Sequence, residues 1–257
     1  MQVILDRVSF SYGALPVLAD VSFTVEASET VALIGPSGCG KSTLLSLIGG
    51  LTAQQQGAIR LAGTPPAECL NPLTFVFQEF ALLPWRSVAQ NVALALEHHP
   101  LTRKERAARV AQVLELCGLS DFAGAFPKQL SGGMRQRVGI ARAIAVRPAV
   151  LLMDEPLSAL DAQTRELLME DLLQIWQRER TTTIYVTHNL GEALRVAERV
   201  VVLSRRPAQV RHVLEVPIPV GERNDPRHAP LRKALHDWLW SLIKDEAQSA
   251  DRELTRA

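Results

Sequence analysis

The run Gly35-Pro36-Ser37-Gly38-Cys39-Gly40-Lys41-Ser42 meets every defined position of the phosphate-loop pattern. Glycines let a backbone curl until several amide N–H groups face one phosphate, and the helix that follows adds the positive end of its dipole. In that setting Lys41 reaches the β- and γ-phosphates and Ser42 supplies one Mg²⁺ ligand. Thr43, next in the chain, bonds the α-phosphate or the local backbone. A bland glycine turn is the competing reading. It is opposed by the apolar strand expected at residues 31–34 and the leucine-rich helix expected at 41–48, the context that makes a glycine motif a phosphate site.

A second run, Val150-Leu151-Leu152-Met153-Asp154-Glu155, places two acids at the end of an apolar strand. Open parallel sheets bind ligands at the C-terminal ends of their strands. Asp154 is therefore expected to hold Mg²⁺, directly or through water, and Glu155 to act on a water aimed at the γ-phosphate. Without the phosphate loop, adjacent acids there would read as a solvated strand end. His188 follows another expected strand, at 182–187, and could contact the γ-phosphate or orient the attacking water; a capping or surface histidine is the plainer alternative. Cys39, inside the glycine loop, reads either as a small neutral filler or as a thiol acidified by Lys41 and the helix start.

These groups need a framework. Strand-like runs at 3–10 and 21–25, separated by a loop with Gly13 and Pro16, form the edge of a sheet, and further strands are expected at 58–61 and 74–77. From residue 88 the pattern turns helical, with helices at 91–97 and 131–145. Between them a long helix starts near Thr102, where Thr102 and Glu105 form a capping box and Ala107, Val110, Leu114 and Cys117 share a face. A helical subdomain is thus expected at about 86–147, inserted into the core. Beyond it come a central strand at 150–153, helices at 163–178 and 190–196, and a strand at 200–203. This alternation predicts an α/β fold with a mostly parallel central sheet and an N-terminal antiparallel strand region. The domain expectation is 1–205 for the catalytic part and 206–257 for a C-terminal extension. There Leu231, Leu235, Trp238 and Leu242 recur at helical spacing, to pack on the core or to meet lipid or a partner.

Bulk properties narrow the classes. The chain has 257 residues, 47% apolar and 5% aromatic, with 28 Lys plus Arg against 27 Asp plus Glu. So even a balance gives no electrostatic argument for nucleic acid as the main ligand, since binding a phosphate backbone usually needs a clustered basic surface. Three cysteines without zinc spacing point to a reducing compartment. Neither a signal-peptide pattern nor a run of eighteen uncharged apolar residues occurs, so membrane association is expected only through a partner or a surface helix.

The run Leu130-Ser131-Gly132-Gly133-Met134-Arg135-Gln136-Arg137 resembles the signature of the ATP-binding cassette superfamily. The resemblance extends in family order over most of the first 205 residues, and makes the expected fold a P-loop NTPase core. It implies ATP and Mg²⁺ as cofactors, and a head-to-tail dimer with a second copy of the chain. In that dimer ATP lies between the phosphate loop of one copy and Ser131, Gly132 and Gly133 of the other. Ser131 also suits a helix N-cap, and two following glycines leave the helix amides unobstructed. By the same resemblance Tyr12 stacks on adenine, with a strand-end tyrosine as the alternative. Gln78 senses bound Mg²⁺ or water, and Ser158 and Asp161 lie in the segment that links the two sites of the dimer.

A narrower resemblance, carried by Val76-Phe77-Gln78-Glu79-Phe80-Ala81-Leu82-Leu83-Pro84-Trp85 with Val88, Asn91 and Val92, is to ATPases of bacterial importers for nitrate, taurine and aliphatic sulfonates. It implies integral-membrane permease subunits as partners, with Trp85 as an interface anchor or else packed inside the helical lobe. It also implies a periplasmic or surface solute-binding protein as an indirect partner, and a peripheral location on the cytoplasmic face of the inner membrane. Two other readings stay open: a soluble family member acting on nucleic acid or ribosomes, and an ATP-binding regulator that moves no solute.

Overall fold

The computed structural model describes residues 1–179 and 181–254. The chain divides into two compact units, Met1–Gly63 with Thr182–Ala257, and Thr64–Thr181. In chain order, β1 (Gln2–Tyr12), β2 (Leu15–Val25), β3 (Thr30–Ile34), α1 (Lys41–Ile48) and β4 (Gln56–Ala62) open the first unit. The second holds β5 (Leu73–Val76), α2 (Val88–Leu94), α3 (Arg103–Leu116), α4 (Gly132–Ile144), β6 (Val150–Asp154) and α5 (Ala162–Glu179). The first unit then resumes with β7 (Thr182–Val186), α6 (Leu190–Val196), β8 (Arg199–Leu203), β9 (Val210–Glu215) and α7 (Ala229–Leu254).

Two sheets shape the first unit. In one, β1 lies antiparallel between β2 and β4, with Val3 opposite Val25 on one side and Leu61 on the other. In the other, β3 is flanked in parallel by β7 and β8, and β9 runs antiparallel along β8. Every residue of β3 and β7 is buried, as expected of parallel strands covered on both faces. The α/β class and the separate antiparallel N-terminal region thus match the sequence reading. Two details differ. Pro16 sits inside β2, opposite Ser11, so the hairpin turn is shorter than the loop expected from Gly13 and Pro16. β2 is an edge strand, where a residue without an N–H removes no ladder bond. β9, expected only as an extended stretch, is a partly exposed edge strand lacking the apolar run that marks a buried one.

The second unit is built on β5 and β6, parallel from Leu73 opposite Val150 to Val76 opposite Met153. The capping box forms as read: Thr102 Oγ1 accepts from the Glu105 N–H at 3.2 Å, and the Glu105 carboxylate accepts from the Thr102 N–H at 2.7 Å. Ser87 and Gln90 make a similar box at the start of α2. Val110, Val113, Leu114 and Cys117 turn inward from α3, and burial pushes the Cys117 thiol up to about 12. Ala107, expected on that face, is exposed. Arg137 on α4 and Asp171 on α5 pair at 2.6 Å.

α7 lies against α6 and presents Leu239, 0% exposed, with Leu235, Leu242 and Ile243 partly covered beside it. The buried stripe is therefore rotated from the expected one: Leu231 and Trp238 stay at its exposed margin, where Trp238 meets the His212 ring edge-on at 5.8 Å. Truncating a fully buried leucine typically costs about 2–5 kcal/mol, whereas an exposed side chain away from any network costs about 0.5 kcal/mol or less. Leu239→Ala should accordingly lower the urea midpoint strongly and Trp240→Ala hardly at all. Equal shifts would contradict the packing described for α7.

Candidate nucleotide site

The candidate residues fall into two sets. Gly35, Pro36, Ser37, Gly38, Cys39, Gly40, Lys41, Ser42, Thr43, Tyr12 and His188 belong to the first unit; Gln78, Trp85, Ser131, Gly132, Gly133, Asp154, Glu155, Ser158 and Asp161 belong to the second.

In the first unit, buried β3 delivers the chain directly into the loop, and α1 starts at Lys41. Gly40 is the turning point. Its φ of 119° is left-handed, and a Cβ there would lie 2.8 Å from Val17 Cγ1, so both conformation and space demand glycine. As N-cap it offers α1 no side-chain bond, whereas α2, α3, α4 and α6 are capped by Ser87, Thr102, Ser131 and Asn189. No side-chain cap therefore covers the start of α1, where a phosphate would lie. Lys41, only 7% exposed, donates from Nζ to Gly35 O at 2.9 Å and to Pro36 O at 3.0 Å. Both acceptors are neutral carbonyl oxygens, which phosphate oxygens can replace. Ser37, Gly38 and Ser42 are exposed and Thr43 half-buried. A phosphate-loop nucleotide fits this cradle, with Ser42 accessible at the helix start as a metal ligand.

Burial pushes the Cys39 thiol up against the opposing pull of Lys41, which favours the neutral filler over the acidified thiol. Tyr12 is 55% exposed at the tip of the β1–β2 hairpin, paired with Leu15 and standing edge-on to Phe10 at 4.9 Å. Its ring is open to a stacking partner. His188 is exposed just after β7. A buried network fixes its neighbours: the Glu192 carboxylate accepts from Tyr185 OH at 3.1 Å and Thr187 Oγ1 at 2.8 Å, and Thr187 Oγ1 accepts from the Asn189 N–H. The Asn189 to Glu192 spacing signals only a capping box. Asn189 does cap the Glu192 N–H at 3.2 Å, but the glutamate side chain turns inward instead of back to the cap.

In the second unit, β6 ends at Asp154, and Glu155 adopts a left-handed φ of 44°. That conformation is unfavourable for a non-glycine residue and persists where neighbours impose it. Ser158 does so twice, its N–H and Oγ donating to Glu155 O at 3.1 and 2.9 Å. Arg165 holds the same segment from α5 through the carbonyls of Leu157 and Leu160. Asp161 accepts from the Thr164 N–H at 3.0 Å, a bond that holds its carboxyl below the usual range and caps α5.

Ser131 caps α4, its Oγ accepting from the Met134 N–H at 3.2 Å. Gly132 and Gly133 differ in what they touch. A Cβ on Gly132 would meet only Leu160 Cδ2 at 3.5 Å, but one on Gly133 would fall 2.4 Å from Thr164 Cγ2. Gly133 therefore has a packing reason besides leaving amides open. Further along α4, Arg142 donates to Ala81 O at 2.6 Å and Phe80 O at 3.3 Å, and Arg135 stacks over the Phe80 ring. These contacts hold the exposed Gln78 segment to the signature helix. Buried Asn91 closes the next corner: Oδ1 accepts from the Leu83 N–H at 2.8 Å, while Nδ2 donates to the carbonyls of Leu83, Arg86 and Ser87. The corner presents Trp85 at 71% exposure, so Trp85 does not pack inside the lobe. A groove of about 650 Å³, lined by Ala89, Ala93, Ala107, Val110 and Leu114, runs between α2 and α3.

Comparison with known proteins bears on both sets. A family model described as "ABC transporter" matches residues 18–158. The nitrate import ATP-binding protein NrtD of Synechococcus elongatus is 44% identical over 236 residues, 89% of this chain and 86% of that protein. The taurine import ATP-binding protein TauB of Rhizobium johnstonii is 48% identical over 190 residues, 74% of this chain and 72% of that one. Among solved structures, a dimeric post-hydrolysis state of the ATP-binding cassette MJ0796 bound to ADP and Pi aligns with a TM-score of 0.71 at 31% identity, covering 84% of this chain and 100% of that one.

Overpacking a tight site typically costs about 1–3 kcal/mol. Gly133→Ala should lower stability by that order in urea unfolding, and Gly132→Ala by clearly less. Adding Thr164→Ser, which deletes the offending methyl, should recover most of the Gly133→Ala loss. Additive losses in the double variant would show that Thr164 is not the obstruction.

Proposed function

The chain belongs to the ABC transporter family, and from that premise we propose that it is the ATP-hydrolysing subunit of a bacterial importer for a small solute such as nitrate, taurine, a sulfonate or a related organic compound. The observation that carries this reading is the likeness to import ATP-binding proteins, which extends over 89% of the chain in the nitrate case. The reaction is ATP plus water to ADP plus phosphate.

Each residue then has a part. Lys41 exchanges the Gly35 and Pro36 carbonyls for β- and γ-phosphate oxygens, and the N-terminal end of α1 adds its dipole toward the phosphate. Ser42 and Asp154 hold Mg²⁺, with Gln78 sensing the metal or its water. When bound, Mg²⁺ neutralises charge that builds on the phosphates. Glu155 orients the attacking water and accepts its proton; His188 contacts the γ-phosphate side. Tyr12 stacks on adenine.

Two copies pair head to tail, so that Ser131, Gly132 and Gly133 of one face the nucleotide held by the other's Lys41, with Ser158 and Asp161 linking the two sites. Permease subunits dock at the Trp85 corner and keep the dimer at the cytoplasmic face of the membrane, while a solute-binding protein selects the cargo outside. Among the described residues no helix is long and apolar enough to cross a membrane, which fits a subunit held there by others.

Glu155→Gln keeps size and hydrogen-bonding shape but removes the proton acceptor. It should retain ATP binding, accumulate as an ATP-containing dimer, and lose hydrolysis by about two orders of magnitude or more, the scale of general-base catalysis. Size-exclusion chromatography with Mg²⁺ and ATP, paired with phosphate release, separates these effects, and normal turnover would remove Glu155 from the catalytic role. Lys41→Ala should abolish ATP binding in equilibrium assays. Purification from membranes should recover two copies with a multi-helix subunit; exclusive association with ribosomes or DNA would defeat the transport reading.

A further inference from the structure

Beyond β8 the first unit makes a tight turn that none of the motifs explains. Ser204 N–H donates to Gln209 O at 2.9 Å, and Gln209 N–H returns to Ser204 Oγ at 3.0 Å. The turn is stitched to β2 on one side. Ala208 N–H donates to Val17 O at 2.8 Å and Ala19 N–H to Ala208 O at 2.9 Å. Val17 is the residue packed against Gly40 of the phosphate loop.

From this turn Arg206 reaches the crest of the loop, donating from Nη2 and Nε to Gly38 O at 2.9 and 3.2 Å. A trans peptide points its C=O and N–H in opposite directions. Holding the Gly38 carbonyl on one side therefore fixes the Cys39 N–H on the other, where it donates to Pro36 O at 3.3 Å. Pro36 O is also an acceptor for Lys41 Nζ. Bonds in such a chain polarise one another, so the cationic donor on Gly38 O strengthens Cys39 N–H as a donor. The turn is itself tied to the C-terminal helix. Glu246 on α7 accepts from the Arg205 N–H at 3.2 Å through Oε2 and pairs with Arg211 Nε at 3.1 Å through Oε1.

We propose that Arg206 is a positioning residue for the phosphate loop, fixing the Gly38–Cys39 peptide whose N–H closes the loop onto Pro36 O, and that Glu246 links this brace to the C-terminal helix. The inference rests on the loop being the ATP site. Arg206 never touches the nucleotide in this scheme. It lowers the reorganisation that binding would otherwise require, so its effect falls on ATP affinity more than on turnover at saturation. The C-terminal extension then tunes nucleotide affinity through one carboxylate.

The test uses the full-length chain, with equilibrium binding of ATP and Mg²⁺, KM and kcat for hydrolysis, and urea midpoints. Losing a charge-assisted hydrogen bond in this role should raise the dissociation constant and KM about five- to tenfold in Arg206→Ala, with kcat within about twofold. Arg206→Lys, which keeps a cationic donor, should restore most of the affinity. Glu246→Ala should weaken binding in the same direction by about two- to threefold, and add little in the Arg206→Ala background. Unchanged affinity in Arg206→Ala would overturn the positioning role. So would a loss that tracks the urea midpoint and is not rescued by lysine. Additive effects of the two substitutions would overturn the link to α7. Absence of ATP binding by the parent would instead overturn the phosphate-loop reading, and this inference with it.

Discussion

The Lys41 ammonium, held beneath its own loop by the carbonyls of Gly35 and Pro36, sets the terms for the first unit. A buried cation needs acceptors close on several sides, and the shortest way to supply them is to bend the chain around it. That bend needs a left-handed residue at Gly40, a rigid strand entering and a helix leaving. β3 provides the rigid entry because its five residues are buried between β7 and β8. The antiparallel hairpin contributes through Val17, which fills the space a side chain at position 40 would need. An arrangement that satisfies the ammonium with neutral oxygens alone leaves it ready to exchange them for anionic ones.

α4 plays the corresponding part in the second unit. Its first turn fits closely against Thr164, and its later turns hold the segment that bears Gln78 through Arg135 and Arg142. One rigid helix thus carries the signature serine at one end and grips the Gln78 segment along its length. The Asn91 bonds fix the next corner in turn. A displacement of α4 cannot leave the Gln78 segment unmoved without breaking bonds to Phe80 and Ala81.

Much of this was legible because the information is local. Phosphate-loop glycines, a four-residue apolar strand ending in acids, and the Thr102 and Glu105 cap each state their structure within a few residues. The illegible parts share a different physics. Asn91, Arg142, Arg165 and Arg206 act by side-chain bonds to backbone carbonyls or amides far along the chain or around a corner, and no periodicity or composition marks such an acceptor in advance. Pro16 misled because a strand interior tolerates proline only at an edge, and edges are assigned by the assembled sheet. The α7 stripe is offset because four apolar residues at helical spacing define a face only loosely, and Leu239 lies outside the set that this spacing picks out.

The left-handed backbone at Glu155 narrows what variation this position tolerates, independently of chemistry. Asparagine, aspartate and glycine enter that region readily, whereas β-branched side chains meet the carbonyl that follows them. Neutral drift at this site would thus be channelled toward a small set of residues, most of them polar. A valine or isoleucine arising there would disturb the turn that Ser158 closes as well as the carboxylate, so lineages that lose the acid while keeping the fold are expected to pass through residues the backbone accepts.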